Sequence, residues 1–281
     1  MKSGNIKFSK ISFKIIKYLY AIVITIFSVF PFLWMVSTSL KPAKDIYSTP
    51  PKFITSNMNF NNYITAIKNN NLLGYVKNSL IVTLSTVAIT IIIATLAAFA
   101  IGYLKLPKGK LVMKVLYSLQ MLPIAVTIIP MYILCSRLGI LNRYPSLILA
   151  YLAGAVPVAV ILLTGFMVDI PDELGEAAKI DGCNTFNAFW RIVIPIALPG
   201  IVSASIFSFI RVWQEFIIAL SFTSDSKMYT LPVGLKTYIG MHDTDWGGLM
   251  ATAVVISIPA IIIFVAVQKQ FVDSLAGSVK G

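Results

Sequence analysis

Residues 169–195 read DIPDELGEAAKIDGCNTFNAFWRIVIP and hold five of the chain's eleven acidic residues, although long apolar runs flank the stretch on both sides. They are the least membrane-like part of a chain of 281 residues that is 57% hydrophobic and 12% charged, with a mean hydropathy of +0.83. That composition lies outside the range of soluble domains and places the chain in a bilayer.

Within the stretch the local signals predict helix, turn, helix. Pro171 suits a first helical position, Asp172 and Glu173 favour the positive N-terminal end of the dipole, and Gly182 can take the left-handed stop. Asn184 or Thr185 can cap a second helix. Leu174, Ala177 and Ala178 fall on one face of the first helix, while Phe186, Phe189, Trp190 and Val193 recur at helical spacing on the second. The small alanines let another surface approach closely, and Glu176 beside them can accept hydrogen bonds from a partner.

Outward from this loop, apolar runs predict six spans at 18–40, 74–104, 111–135, 146–168, 196–222 and 247–269. Such runs are long enough to cross about 30 Å of hydrocarbon. Pro123 and Pro130 mark expected kinks in the third. Five lysines precede the first run, which is longer than a signal-peptide core and lacks a small-x-small cleavage site. It reads as an uncleaved span with its lysines in the cytoplasm. With Lys77, Lys114 and Lys269 at span ends counted on the side they adjoin, the six-span partition leaves thirteen Lys/Arg inside, nine outside and one, Arg211, within a span. Both termini and the loop at 169–195 are then cytoplasmic, and 41–73 and 223–246 external.

The net charge of +12 is scattered at the ends of apolar runs, as topology determinants are, and not gathered on one face for nucleic acid. Cys135 and Cys183 fall on opposite sides of the membrane, too far apart for a disulfide. With one histidine, His242, a histidine-rich metal centre is excluded. His242, Asp243 and Asp245 read as a solvated external loop. Arg211 and Glu215, at i and i+4 in the fifth span, can pair on one helix face. They fit a structural ion pair at a subunit interface, a proton relay, or a substrate pathway in which Trp213 and Gln214 add an aromatic and an amide contact. No GxxxxGK[ST] phosphate loop occurs; Gly102 to Gly109-Lys110 has the wrong spacing.

Glu176-Ala177-Ala178, then Gly182, then Ile192 and Ile194-Pro195 resemble the EAA loop of ABC importer permeases, with Ile194 where leucine is usual. Further pieces resemble the smaller, six-span subunit of the maltose-type carbohydrate-uptake branch: PFLWMVSTSLK, KNSLIVT, WQEF, TLPVGL and the ending QKQFVDSLAGSVKG. Gln214 replaces the usual asparagine, and Ser274 a glycine. The resemblance implies an all-α membrane protein, one permease domain over 1–281 with six transmembrane helices, of the type I ABC importer fold with a cytoplasmic EAA coupling loop.

It also implies a sugar or oligosaccharide importer subunit in the bacterial plasma membrane and not an enzyme. Its expected partners are a second, distinct permease, two ATP-binding subunits that carry the ATP and Mg, an extracytoplasmic sugar-binding protein and membrane lipid. Glu176, Ala177, Ala178, Asp181 and Gly182 would contact the ATPase, and the tail at 268–281 would be a second coupling element. Two other classes make different demands. A proton-coupled secondary transporter needs no ATPase partner, and an intramembrane lipid-acting enzyme using His242 would act alone.

Overall fold

The computed structural model describes residues 3–180, 182–240 and 243–278, and side chains within it except those of 3–12, 178–179 and 267–278. Among the described residues, five helices are long and apolar enough to cross a membrane, six if one bent pair counts as a span. Contacts separate the chain into two compact units, Met1–Asn70 with Thr237–Ser257, and Asn71–Lys236 with Ile258–Gly281.

The first unit contains α1 (Ser3–Ser39), α2 (Ala43–Ile46) and α3 (Asn61–Asn69). Most side chains of α1 from Phe13 to Leu33 are exposed and apolar, as a surface facing lipid or another subunit must be. Its end is pinned by polar contacts: the Asn62 amide donates to the carbonyls of Ser39 and Lys41 at 2.8 and 2.9 Å, and Lys41 lies over the Trp34 ring at 4.5 Å. The stretch PFLWMVSTSLK is thus a helix exit with its own locking groups. An isolated bridge joins Ile239 to Thr244 ahead of α13 (Trp246–Ser278), which runs on into the second unit.

The second unit contains α4 (Leu72–Ala98), a π-helical segment Phe99–Tyr103, α5 (Gly109–Gln120), α6 (Ile124–Arg137), α7 (Tyr144–Val168), α8 (Asp172–Ile180) and α9 (Thr185–Ala188). A second π segment, Phe189–Val193, leads into α10 (Ile194–Trp213), followed by α11 (Ile217–Phe222) and α12 (Leu231–Gly234). Its core is the meeting of α4, α7 and α10, where Ala94, Ala98, Ala159, Ala197 and Ala204 are buried beside Leu163 and Met167. Small residues let membrane helices approach closely and gain dispersion contacts that lipid cannot match.

The motif KNSLIVT has a structural reason here. The Asn78 amide donates to the carbonyls of Lys227 and Tyr229 and its oxygen accepts from the Tyr144 hydroxyl, while the Ser79 hydroxyl accepts from the Leu231 backbone N–H. These bonds clamp the segment leading into α12 onto α4 and tie α4 to α7.

Two expected spans are broken. The third bends by 97° between α5 and α6, with Pro123 as the N-cap of α6. Pro123 disfavours helix at Leu122 and lacks the N–H needed to continue the ladder. Pro130, the other expected kink, lies inside α6, which runs on to Arg137. The fifth, read as continuous over 196–222, stops at Trp213 and restarts at Ile217. The second amphipathic helix expected in the 169–195 loop is also longer than anticipated, since α9 continues through the π segment into α10.

A methyl added at Gly102 would lie 2.8 Å from Met167 Cβ and 3.1 Å from the Thr164 carbonyl, whereas one at Gly165 would meet nothing within 4 Å. Gly102→Ala should therefore lose about 1–3 kcal/mol of stability through overpacking, and Gly165→Ala should be neutral or mildly stabilising. Thermal unfolding of both variants in the same detergent checks the contrast.

Candidate functional site

The stretch that organises the sequence is anchored at both ends. At its start, Asp172 forms an ion pair with Lys105 beyond the first π segment. Gly175 sits where any side chain would collide with the Tyr103 hydroxyl. At its far end, Phe189 and Val193 are buried, and the Phe189 ring meets Phe99 at 4.8 Å between centroids. The two π segments therefore touch through their first residues. Between these anchors α8 begins after Pro171, with Asp172 and Glu173 in its first turn.

Gly182 has φ +79°, the left-handed region that the sequence assigns to it, with open space around it. Of the two candidate caps, Asn184 is the one used: its side chain accepts from the Asn187 backbone N–H at 2.8 Å. Glu176 and Ala177 are exposed on α8. Beyond the turn, Phe186 is 68% and Trp190 55% exposed. Leu174 and Ile180 of α8 are exposed as well, as is the Glu176 carboxylate. Asp181, and the side chain of Ala178, lie outside the described residues, as do His242 and the tail side chains beyond 266.

A second feature lies where the two broken spans meet. A cavity of about 210 Å³ is lined by Gln120, Tyr151, Gly154, Arg211 and Glu215, with Leu122, Thr127 and Met131 among its other walls. The Arg211 guanidinium lies against Gly154, whose missing side chain leaves it room: a methyl there would be 3.4 Å from Nη2. No carboxylate is within ion-pair distance of Arg211 among the described residues.

Glu215 sits in the break between α10 and α11 and spends both oxygens on the new helix, accepting from the N–H groups of Ile218 at 2.8 Å and Ala219 at 3.1 Å. The expected i, i+4 ion pair on a continuous helix is thus replaced by a helix cap, because the helix ends before Glu215 is reached. A carboxylate at a helix N-terminus satisfies free donors and opposes the positive dipole end. Tyr151, 5% exposed, turns its hydroxyl toward the Glu215 carboxylate, outside hydrogen-bond geometry.

The other two residues expected on a pathway are placed differently. Trp213 is 2% exposed, stacked on Phe209 at 5.6 Å and absent from the cavity lining, so a solute in that cavity cannot reach its ring. Gln214 is exposed at the end of α10 and also lies off the lining. Gln120 and Tyr151 escaped the sequence reading because both sit singly in apolar runs. The one available signal was an amide three residues before Pro123. A guanidinium, a carboxylate, an amide and a phenol around one small space suit a solute rich in hydroxyl groups.

Residues 91–276 match the family described as binding-protein-dependent transport system inner membrane component. The sulfoquinovosyl glycerol transport system permease protein SmoH of Agrobacterium fabrum is 33% identical over 95% of this chain and 94% of its own length. The diacetylchitobiose uptake system permease protein DasC of Streptomyces coelicolor is 35% identical over 93% of this chain and 95% of its own. The trehalose transport system permease protein SugB of Mycobacterium tuberculosis is 32% identical over 91% and 93%. A chain from the crystal structure of a bacterial ABC transporter involved in import of the acidic polysaccharide alginate superposes with a TM-score of 0.82. It covers 94% of this chain and 98% of that one at 18% identity, a likeness of fold. The chain belongs to the family of binding-protein-dependent transport system inner membrane components and is a multi-pass transport permease of the ABC importer fold.

Proposed function

We propose that this permease carries a sugar or oligosaccharide across the bacterial plasma membrane, sharing the pathway with a second, distinct permease. Two ATPase subunits hold the ATP and Mg and drive the pair, and an extracytoplasmic binding protein delivers the solute. Both termini and the 169–195 loop face the cytoplasm in this reading. The observation that carries it is the loop itself: an exposed surface of Glu176, Ala177, Ile180, Phe186 and Trp190 set on a buried aromatic root. The saccharides named for SmoH, DasC and SugB support the solute class.

Glu176, Ala177, Ala178, Asp181 and Gly182 form the ATPase contact. ATP-driven closure pushes on α8, and the root passes that motion to α4 and α10, so that two distant sites share one two-state element. Arg211 and Glu215 line the solute pathway, with Gln120 and Tyr151 beside them. Trp213 supports the helix break from within the core.

Affinity purification of the tagged chain in mild detergent, with mass spectrometry and an ATPase assay of the eluate, tests the assembly. A second permease, an ATPase and a solute-binding protein are expected; the chain alone, still transporting, would overturn the reading. Gly182→Val places a branched side chain at positive φ, costing about 2 kcal/mol locally. It should uncouple ATPase stimulation from the liganded binding protein while the spans stay folded. Arg211→Leu, by contrast, should leave ATPase stimulation intact and cut transport at least about tenfold, the equivalent of about 1.4 kcal/mol. Equal transport by that variant in proteoliposomes would remove Arg211 from the pathway.

A further inference from the structure

Beside the coupling loop lies a cleft of about 850 Å³ that the transport reading does not use. One wall is α5, which presents Lys110, Met113, Lys114 and Tyr117, residues spaced so that they share a helix face. The opposite wall includes Ile101, Met167 and Val168, and its floor is the turn 169–172 that opens α8. The cleft is therefore apolar along its depth and basic along one side.

Lys110 and Lys114 are exposed and have no carboxylate within ion-pair distance among the described residues, while the third lysine of the cleft, Lys105, is already paired with Asp172. Asp169 is the remaining acidic group in the lining. Two free cations one helical turn apart make an anion site, but the apolar wall has no use to a free anion.

The adjoining face of α5 decides the occupant. Leu111 and Val115, four residues apart, are 58% and 51% exposed, as side chains against acyl chains are. The cleft thus opens beside a lipid-facing stripe, and it accepts a molecule that is anionic at one end and hydrocarbon at the other. We propose that it binds one anionic phospholipid, with the phosphate between Lys110 and Lys114 and an acyl chain along Met113, Ile101 and Met167.

Basic pockets between spans at the cytoplasmic side suit such headgroups. The position has a consequence for transport, because the bound headgroup rests on the turn that carries Asp172 and so on the start of α8. Lipid charge would then tune how firmly the coupling helix is seated.

The test is native mass spectrometry of the full-length chain, purified in mild detergent with the subunits that accompany it. The probes are phosphatidylglycerol, phosphatidylcholine with the same acyl chains, and inorganic phosphate. One phosphatidylglycerol should be retained about tenfold more tightly than phosphatidylcholine, and millimolar inorganic phosphate should not displace it. Lys110→Gln with Lys114→Gln should abolish the preference, and Met113→Trp should weaken retention of both lipids by filling the apolar wall. Lys108→Gln, outside the lining, should change nothing. Equal retention of the two lipids by the wild type, an undiminished preference in the double variant, or displacement by phosphate would each overturn the site.

Discussion

A bilayer offers no hydrogen bonds to an opened backbone, so every place where a span breaks must supply its own partners or face a cavity. This constraint accounts for much of the second unit. At Gln214–Phe216 the break is sealed by Glu215, whose two oxygens take two N–H groups of α11. At Met121–Pro123 the bend removes one donor outright, since Pro123 has none, and Met121 and Leu122 bond back to Ser118 and Leu119. Both breaks border the same small cavity. Irregular backbone is costly elsewhere in a bilayer, and here it coincides with Arg211, Gln120 and Tyr151 around one cavity, which supports the proposal that these groups serve one solute. Transporters place solute sites where discontinuous helices meet for the same reason.

The fold was legible in the sequence wherever hydrophobicity alone sets the answer. Long apolar runs must be helices in lipid, and the helices Leu72–Tyr103 and Tyr144–Val168 lie within two residues of the expected 74–104 and 146–168, whereas the fifth starts at Thr185 and ends at Trp213 where 196–222 was expected. The loop at 169–195 was legible for a different reason, since Gly182 and Asn184 act locally and need no tertiary context to select a left-handed turn and a cap. What escaped was tertiary in origin. Arg211 and Glu215 have helical spacing, but a glutamate near a helix end can cap the next helix as well as pair across a turn, and only the break decides which. Trp213 reads as a pathway aromatic beside Gln214, yet its ring is claimed by Phe209 and the core. The two π segments left no trace in hydropathy, because one inserted residue per turn alters backbone register without altering composition.

Those π segments bear on how, in the proposed coupling, a push at the loop would reach the spans. A π turn widens the helix and shifts the register of everything beyond it, and it is less stable than the α turn it replaces. Here the segments at Phe99–Tyr103 and Phe189–Val193 meet through Phe99 and Phe189, one at the end of α4 and the other at the entry to α10. Tyr103 from the first also packs on Gly175 of α8. A displacement of α8 therefore acts first on the two turns of the bundle with the least to lose by rearranging. The packed alanine faces beyond them are too dense to deform gradually, so the force is passed on as a shift of whole helices. A loop rooted in ordinary α turns would move with its helices; one rooted in π turns can also change the rotation of α10, and with it the direction in which Arg211 faces.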